Sequence, residues 1–344
     1  MLVLEKLNEY GHEQVMFVQD KSVGLRAIIA IHNTVRGPAL GGSRFFNYAS
    51  EEDALFDVLR LSKGMTLKNA AAGLNLGGGK AVIIGDPKKL KSKEFLHSYG
   101  RFIDSLGGKY YTAEDMNIST SDMAYMNEVT KFVVGTPEIS GDPGPFTARG
   151  VYVAMKAGAK EKFGSDSLAG KTILIQGIGS VGAKLCEHLE KEGAKLIVSD
   201  INSAATEKAA NAFGATVVSS EKIISTECDI FAPCAMGAVL NVSNVDDLKC
   251  AQITGAANNV LLDIATGDKI HEMGILYLPD YIVNAGGVIN CGMEVSEGHY
   301  DVNAVNAKVD EIYNTTQKII ALAKEKNIGT HRAADEYAES QLVK

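Results

Sequence analysis

Two rhythms of apolar residues divide the chain. From position 171 onward, short uninterrupted apolar runs alternate with stretches of helical period. Thr172-Ile173-Leu174-Ile175 shows no polar alternation, as expected for a strand buried on both faces. A helix over 180–192, a strand at 195–199, a helix over 203–213 and a strand at 216–218 follow. Further strands are predicted at 229–232, 252–254 and 275–278, then a long amphipathic helix over 302–325 and a shorter one over 331–342. This alternation predicts a parallel sheet with helices on both faces.

The first half is less regular. Residues 24–32 read as a strand, 34–38 as a turn and 38–43 as a glycine-bearing loop. Ala54, Leu55, Val58, Leu59 and Leu61 recur at helical spacing behind the acids Glu51, Glu52 and Asp53, with Ser50 as N-cap. That helix is predicted to run through Met65 to Ala72. A strand at 81–84, a helix over 92–106, a strand at 110–113 and a helix starting near Ser119 complete this half. Residues 137–147 hold three of the seven prolines and read as a linker, with a helix at 147–163 behind it. The fold class expected is therefore α/β with two domains.

Composition narrows the field. A chain of 344 residues with net charge −8 is a poor match for nucleic acid, which recruits a basic face. No apolar stretch is long enough to span a bilayer or serve as a signal peptide, so no membrane partner and a cytoplasmic location are expected. The five cysteines form no CxxC pair, which suits buried free thiols in a reducing compartment. The seven histidines are scattered, and no metal is expected.

Gly177-Ile178-Gly179-Ser180-Val181-Gly182 matches G-x-G-x-x-G, between a buried strand and a helix. Gly177 permits the tight turn, Gly179 lets a pyrophosphate approach the backbone, and Gly182 allows close helix–strand packing. Ser180 and Val181 open the helix, whose free N–H groups suit an anion. Asp200 ends the next strand, where a carboxylate accepts hydrogen bonds from ribose hydroxyls and repels a 2′-phosphate. The cofactor expected is NAD.

A second glycine-rich feature is Gly77-Gly78-Gly79-Lys80. It is no P-loop, since Ala81 replaces Ser or Thr and a strand follows. A glycine run marks backbone that approaches something closely, here read as a small ligand with Lys80 beside it. Lys68 and Lys80 are each isolated among uncharged residues. A lysine held among apolar neighbours is favoured in its neutral, proton-accepting form. Asp115, after an apolar strand, is the nearest candidate to compensate such cations.

These blocks resemble the Glu/Leu/Phe/Val amino acid dehydrogenase family, and its leucine dehydrogenase branch most closely. The similar segments are Gly37-Pro38-Ala39-Leu40-Gly41-Gly42, the run from Leu59 to Thr66, the run from Ala71 to Lys80, Thr112-Ala113-Glu114-Asp115, Gly255-Ala256-Ala257-Asn258-Asn259 and the run from Pro279 to Gly287. The resemblance implies an NAD-dependent, reversible oxidative deamination of an L-amino acid to a 2-oxo acid and ammonium. By position it implies Lys80 as catalytic base, Asp115 as catalytic aspartate, and Lys68 with Gly41 and Gly42 at the substrate carboxylate. Asn284 falls near substrate and nicotinamide, while Ala235, Asn259 and Thr147 fall along the nicotinamide half of the cofactor.

The resemblance maps the side-chain pocket to Leu40, Ala113, Cys291 and the neighbourhood of Glu294. Leu40 and Ala113 carry no charge to pair a glutamate side chain, which favours leucine, valine and isoleucine. Cys291 and Asn117 depart from the leucine branch and leave an aromatic substrate, phenylalanine or tryptophan, as the alternative. A non-catalytic NAD-binding sensor is the remaining reading. The resemblance also implies a homo-oligomer, octamer or dimer. The domains expected are 1–137 with 325–344 for substrate and oligomerisation, and 138–324 as a Rossmann domain for NAD. A cleft between them would close about hinges at 137–147 and near 285–300.

Overall fold

The computed structural model describes residues 3–235, 237–296 and 300–342. The chain forms two units: Met1–Pro143 with Val288–Val302 and Ala338–Lys344, and Gly144–Gly287 with Asn303–Tyr337. The borders expected from sequence, 137 and 325, fall at 143 and 338 by this division.

The first unit runs α1 (Val3–Tyr10), β1 (Gln14–Asp20), β2 (Leu25–Asn33), β3 (Ala39–Phe46), α2 (Glu51–Ala71), β4 (Gly77–Ile84), α3 (Pro87–Leu90), α4 (Lys93–Asp104), β5 (Tyr110–Ala113) and α5 (Thr120–Asn127). Its five strands lie in the order β1-β2-β4-β3-β5. The β1–β2 and β2–β4 pairs are antiparallel, and β4–β3 and β3–β5 are parallel. Both faces are covered. Ile28, Ala30, Val82 and Ile84 pack on Ala54, Leu55, Val58 and Leu59 of α2. Ala27, Ile29, Ile31, Ala81 and Ile83 share the opposite core with Phe95, Leu96, Tyr99 and Ile103 of α4. Two covered faces explain why β2 and β4 read as continuous apolar runs. Ser50 caps α2 through the Asp53 N–H, and Ser119 with Asp122 forms a capping box on α5.

Three expectations change here. Residues 38–43 are not a loop: Ala39–Phe46 is strand β3, paired on both sides. The three glycines do not precede a strand but begin β4, so Lys80 sits inside it. The 137–147 linker is shorter than expected, because α6 already begins at Gly144. Helix α1 and strand β1 escaped the sequence reading. Helix α1 buries no residue, and β1 buries only Val18, so neither leaves a clear apolar period.

The second unit begins with α6 (Gly144–Phe163) and continues β6 (Thr172–Gln176), α7 (Ser180–Lys191), β7 (Lys195–Ser199), α8 (Ser203–Phe213), β8 (Thr216–Val217), β9 (Ile230–Pro233), β10 (Gln252–Ile253), α9 (Ile264–Glu272), β11 (Leu276–Tyr277) and α10 (Asp280–Val283). Helices α11 (Gly286–Ser296), α12 (Val302–Lys326) and α13 (Thr330–Ser340) end the chain. The six strands are all parallel, in the order β11-β10-β9-β6-β7-β8. The chain moves outward one way from β6 and then the other way from β9. This is the doubly wound order, with its switch point between β6 and β9. Leu174, Phe231 and Ile253 from three adjacent strands form the core with Leu240, Val245, Ile270 and Tyr277. Helices α9 and α11 were not foreseen. The hinge expected near 285–300 falls largely on α11, and residues 297–299 of that stretch lie outside the described residues.

Candidate active site

Glycine lets the strands of the first unit approach one another and α2. A Cβ on Gly78 would come within 2.1 Å of the Thr66 N and Oγ1 atoms of α2. On Gly79 it would strike the Tyr110 ring, on Gly41 the Gly79 carbonyl, and on Gly42 the Glu114 carbonyl and the Asp115 Cβ. The glycine run was expected to admit a ligand, but its close neighbours are the protein's own backbone and side chains. The effect on Lys80 is indirect and strong. With no side chains between them, β3, β4 and the turn after β5 come together around its amine.

Lys80 is buried, its side chain 8% exposed, and its Nζ lies 3.0 Å from Asp115 Oδ2. Arg44 of β3 reaches the same Oδ2 from its Nε at 3.0 Å. Arg44 and Val82 are aligned partners on β3 and β4, so they share the face covered by α2. There Arg44 Nη1 meets Asp57 Oδ2 at 3.0 Å, and Asp57 also accepts from Tyr48 OH at 2.7 Å and from Arg60 Nη2 at 3.0 Å. Burial opposes the charge on Asp115, but Lys80 and then Arg44 outweigh it and bring its pKa down to about 2. Asp115 is therefore a carboxylate at neutral pH. Its neighbour Glu114 is displaced the other way: half-burial raises its pKa, against a hydrogen bond from Thr120.

Lys68 lies half-buried in the last turn of α2. It is one helical turn from Met65, whose Cγ is 3.2 Å from where a Gly41 Cβ would stand. Asn69 ties this end of α2 to the sheet, donating to the Gly77 carbonyl at 2.6 Å and the Leu40 carbonyl at 3.3 Å. Leu40 is buried, and Ala113, half-buried, pairs with Gly42 at the end of β5. The wall opposite Leu40 comes from α11. A Cβ on Gly292 would lie 2.9 Å from Leu74, 3.1 Å from Leu76 and 3.5 Å from Leu40. Cys291 is buried beside Gly135, and burial pushes its thiol up to about 12. Glu294 accepts from the Gly135 N–H at 3.0 Å, and burial raises its pKa. The structure thus brings Leu40 of β3 and Gly292 of α11 together from opposite ends of the chain. Asn117 has φ 60, a conformation that glycine and asparagine adopt most readily.

In the second unit, Gly177 leaves β6 with φ 94. Its Cβ would collide with Ala235, which follows the end of β9, so the two strand ends meet at the switch point. A Cβ on Gly182 would collide with the Gly177 carbonyl, whereas one on Gly179 has nothing within 4 Å. The first and third glycines are packing glycines, and the middle one faces open space. Gly179 is also the N-cap of α7 without a side-chain cap, leaving Ser180 and Val181 at a helix start open to an anion. Asp200 holds the loop: its Oδ2 accepts from Ile178 N at 2.6 Å and its Oδ1 from Asn202 N at 2.8 Å. Asn284 is buried, donating to Asn258 Oδ1 at 2.8 Å and the Ala256 carbonyl at 3.1 Å. Asn259 sits at φ 53 and accepts from Ala238 N. Thr147, in the first turn of α6, lies against Gly286, whose Cβ would come 2.9 Å from the Thr147 N.

Residues 12–132 match the Glu/Leu/Phe/Val dehydrogenase dimerisation domain, and 142–209 with 201–344 match the Glutamate/Leucine/Phenylalanine/Valine dehydrogenase family. The chain belongs to the Glu/Leu/Phe/Val dehydrogenase family. It is an amino acid dehydrogenase, and its relatives within the family span several substrates. It is 52% identical to a leucine dehydrogenase of Geobacillus stearothermophilus, covering 99% of this chain and 94% of that one. It is 46% identical to a phenylalanine dehydrogenase of Bacillus thermotolerans, over 99% and 90%. A solved L-tryptophan dehydrogenase from Nostoc punctiforme superposes with TM-score 0.88 at 42% identity, over 99% and 98%.

Sequence reasoning missed Arg44, Asp57 and Tyr48. Arg44 carried one signal: a charged residue immediately after the 38–43 segment read as loop. Once 39–46 is a strand, period two puts Arg44 on the α2 face. Among the described residues no cluster of His, Cys, Asp or Glu could hold a metal ion, and no helix is long and apolar enough to cross a membrane.

Proposed function

We propose that the chain catalyses the reversible, NAD-dependent oxidative deamination of a branched-chain L-amino acid, leucine, valine or isoleucine, to the 2-oxo acid and ammonium. The observation that carries this reading is the pair of buried Lys80 and half-buried Asp115 at 3.0 Å. It sets an amine and a carboxylate together where one can accept a proton and the other can pass one on. The apolar wall of Leu40, Leu74 and Leu76 around Gly292 supports an aliphatic side chain, and the higher identity to the leucine enzyme than to the phenylalanine enzyme supports the same choice.

The dinucleotide fits the second unit, since Gly179 leaves room at a bare helix start and Asp200 supplies the carboxylate for a ribose. Bound NAD would supply hydride acceptance from the substrate Cα. In this reading Lys68, with Gly41 and Gly42, binds the substrate carboxylate. Lys80 accepts the proton of the water that attacks the imino carbon, and Asp115, a carboxylate at rest, takes a proton from the substrate amino group and returns it to the departing nitrogen. Thr147, Ala235, Asn259 and Asn284 serve the nicotinamide half. The first unit, Met1–Pro143 with Val288–Val302 and Ala338–Lys344, serves substrate and assembly, and the second serves NAD. The chain works as a homo-oligomer in the cytoplasm, which fits the dimerisation-domain match over 12–132.

The deciding experiment follows NADH formation with leucine, valine, phenylalanine, tryptophan and glutamate side by side, with NAD and with NADP. Leucine or valine with NAD should give the highest kcat/KM. A preference for tryptophan or phenylalanine would overturn the substrate assignment, and no turnover with any of them would favour a non-catalytic NAD-binding sensor.

A further inference from the structure

We propose that Arg44 is a positioning residue for this deamination: its permanent charge keeps Asp115 aimed and returns it to the carboxylate form after each proton transfer, while Lys80 gains and loses its proton. The proposal rests on the roles given to Lys80 and Asp115 above.

Two cations share one oxygen of Asp115, Lys80 Nζ at 3.0 Å and Arg44 Nε at 3.0 Å. When Lys80 gives up its proton, one of the two is lost. A buried carboxylate left with no cation favours its protonated form. An Asp115 that stayed protonated could neither take the proton of the amino group nor hold the Lys80 ammonium. Arginine cannot lose its proton in a protein, so the Arg44 contact persists through the cycle.

The surroundings of Arg44 suit this role. From α2, Asp57 grips Nη1 at 3.0 Å and is itself held by Arg60 and by Tyr48 OH. With Lys80 neutral, Arg44 and Arg60 still balance Asp115 and Asp57, so the cluster carries no net charge. The other titratable groups acting on Asp115 are Glu114, beside it in sequence, Tyr110 of β5 and Tyr48. Glu114 is itself biased toward its neutral form by burial. Arg44 is the fixed cation from β3. An arginine serving only to fasten α2 to the sheet would need Asp57 but not Asp115.

The experiment measures kcat against pH with leucine and NAD for Arg44→Lys, Arg44→Met and Asp57→Asn, with Lys80→Ala in parallel and circular dichroism as the check on folding. Arg44→Met should lower kcat about 100-fold near neutral pH, within the range for a disrupted acid–base pair. The KM for NAD should stay within about twofold, and the acidic limb of the profile should move upward by about one pH unit, the tenfold change that loss of one close charge produces. Arg44→Lys should restore at least about a tenth of the loss and part of the limb, because the charge returns without the fork. Asp57→Asn should fold and show a smaller shift in the same direction. A folded Arg44→Met whose profile keeps its limb overturns the proposal. If Arg44→Met does not fold, an unchanged limb in both Arg44→Lys and Asp57→Asn overturns it equally. If Lys80→Ala retains substantial turnover, the parent reading of Lys80 fails. If Lys80→Ala is inactive and the Arg44 variants behave as the parent enzyme, only the Arg44 proposal fails.

Discussion

Gly78 lies so close to Thr66 that no side chain fits between strand β4 and helix α2. A Cβ there would stand 2.1 Å from both the Thr66 N and Oγ1 atoms. Backbone on the α2 side cannot rotate away as a long side chain could. Gly78→Ala should therefore cost about 1–3 kcal/mol by overpacking, read as a lower urea midpoint with an unchanged m value. Because the displaced helix carries Lys68, the KM for the amino acid should also rise.

Lys80 and Asp115 separate chemistry from cofactor binding. Lys80→Ala should abolish turnover while NADH affinity, measured by fluorescence titration, stays nearly intact. Substantial residual activity would show that the amine is not the base. Asp115→Asn should also lose activity, by about 10²-fold or more, since an amide cannot pass a proton on.

Acid stability should fall in two stages. His12 is half-buried, touches Ser62 Oγ at 2.7 Å and faces His32 at 4.8 Å between ring centroids. Burial first, then His32, lowers its pKa from 6.5 to about 4. Between those values the unfolded chain takes up a proton that the folded chain refuses, so stability drops as pH falls from 6.5 toward 4 and this contribution then levels off. Asp115 acts next. Its depressed pKa contributes stability above 3.8, lost as pH falls toward about 2. Urea unfolding of His12→Gln should show a flatter slope between pH 6.5 and 4 and the original loss below it. An unaltered slope would remove His12 from the account.

Asp200 has two duties that a single substitution should expose together. It would face the ribose, and its Oδ2 already holds the Ile178 N–H at 2.6 Å. Asp200→Asn keeps an acceptor for Ile178 but loses the charge, so it should narrow the preference for NAD over NADP with modest loss of NAD affinity. Asp200→Ala should lower kcat/KM for NAD further, by about tenfold, because the loop loses a charge-assisted hydrogen bond of about 1.5–3 kcal/mol. Equal effects from the two variants would show that the loop contact does not matter.

Much of the second unit was legible because each element there repeats a local signal. Strand 195–199 and helix 203–213 were read with the borders they have, and the glycine-bearing turn lies between β6 and α7 where the strand–helix alternation puts it. The first unit was less so. Residues 38–43 read as loop because Gly41 and Gly42 have no β propensity, yet β3 is a strand with neighbours on both sides. Its glycines are required by Gly79, Glu114 and Asp115, which no local pattern records. Arg44 was invisible for the same reason: its partners Asp57 and Asp115 lie on a different helix and a different turn.

By itself the sequence determined the alternation of strand and helix, the dinucleotide turn, and the blocks around Lys68, Lys80 and Asp115 that mark the family. These are local or motif properties, carried by apolar period, turn chemistry and residue spacing. Only the tertiary structure decided what the triple glycine is for and which cations hold Asp115. Those depend on how closely β3, β4 and α2 approach, a distance set by packing between segments far apart in the chain. Lys80 became a buried partner of a doubly held carboxylate at that point, and not before.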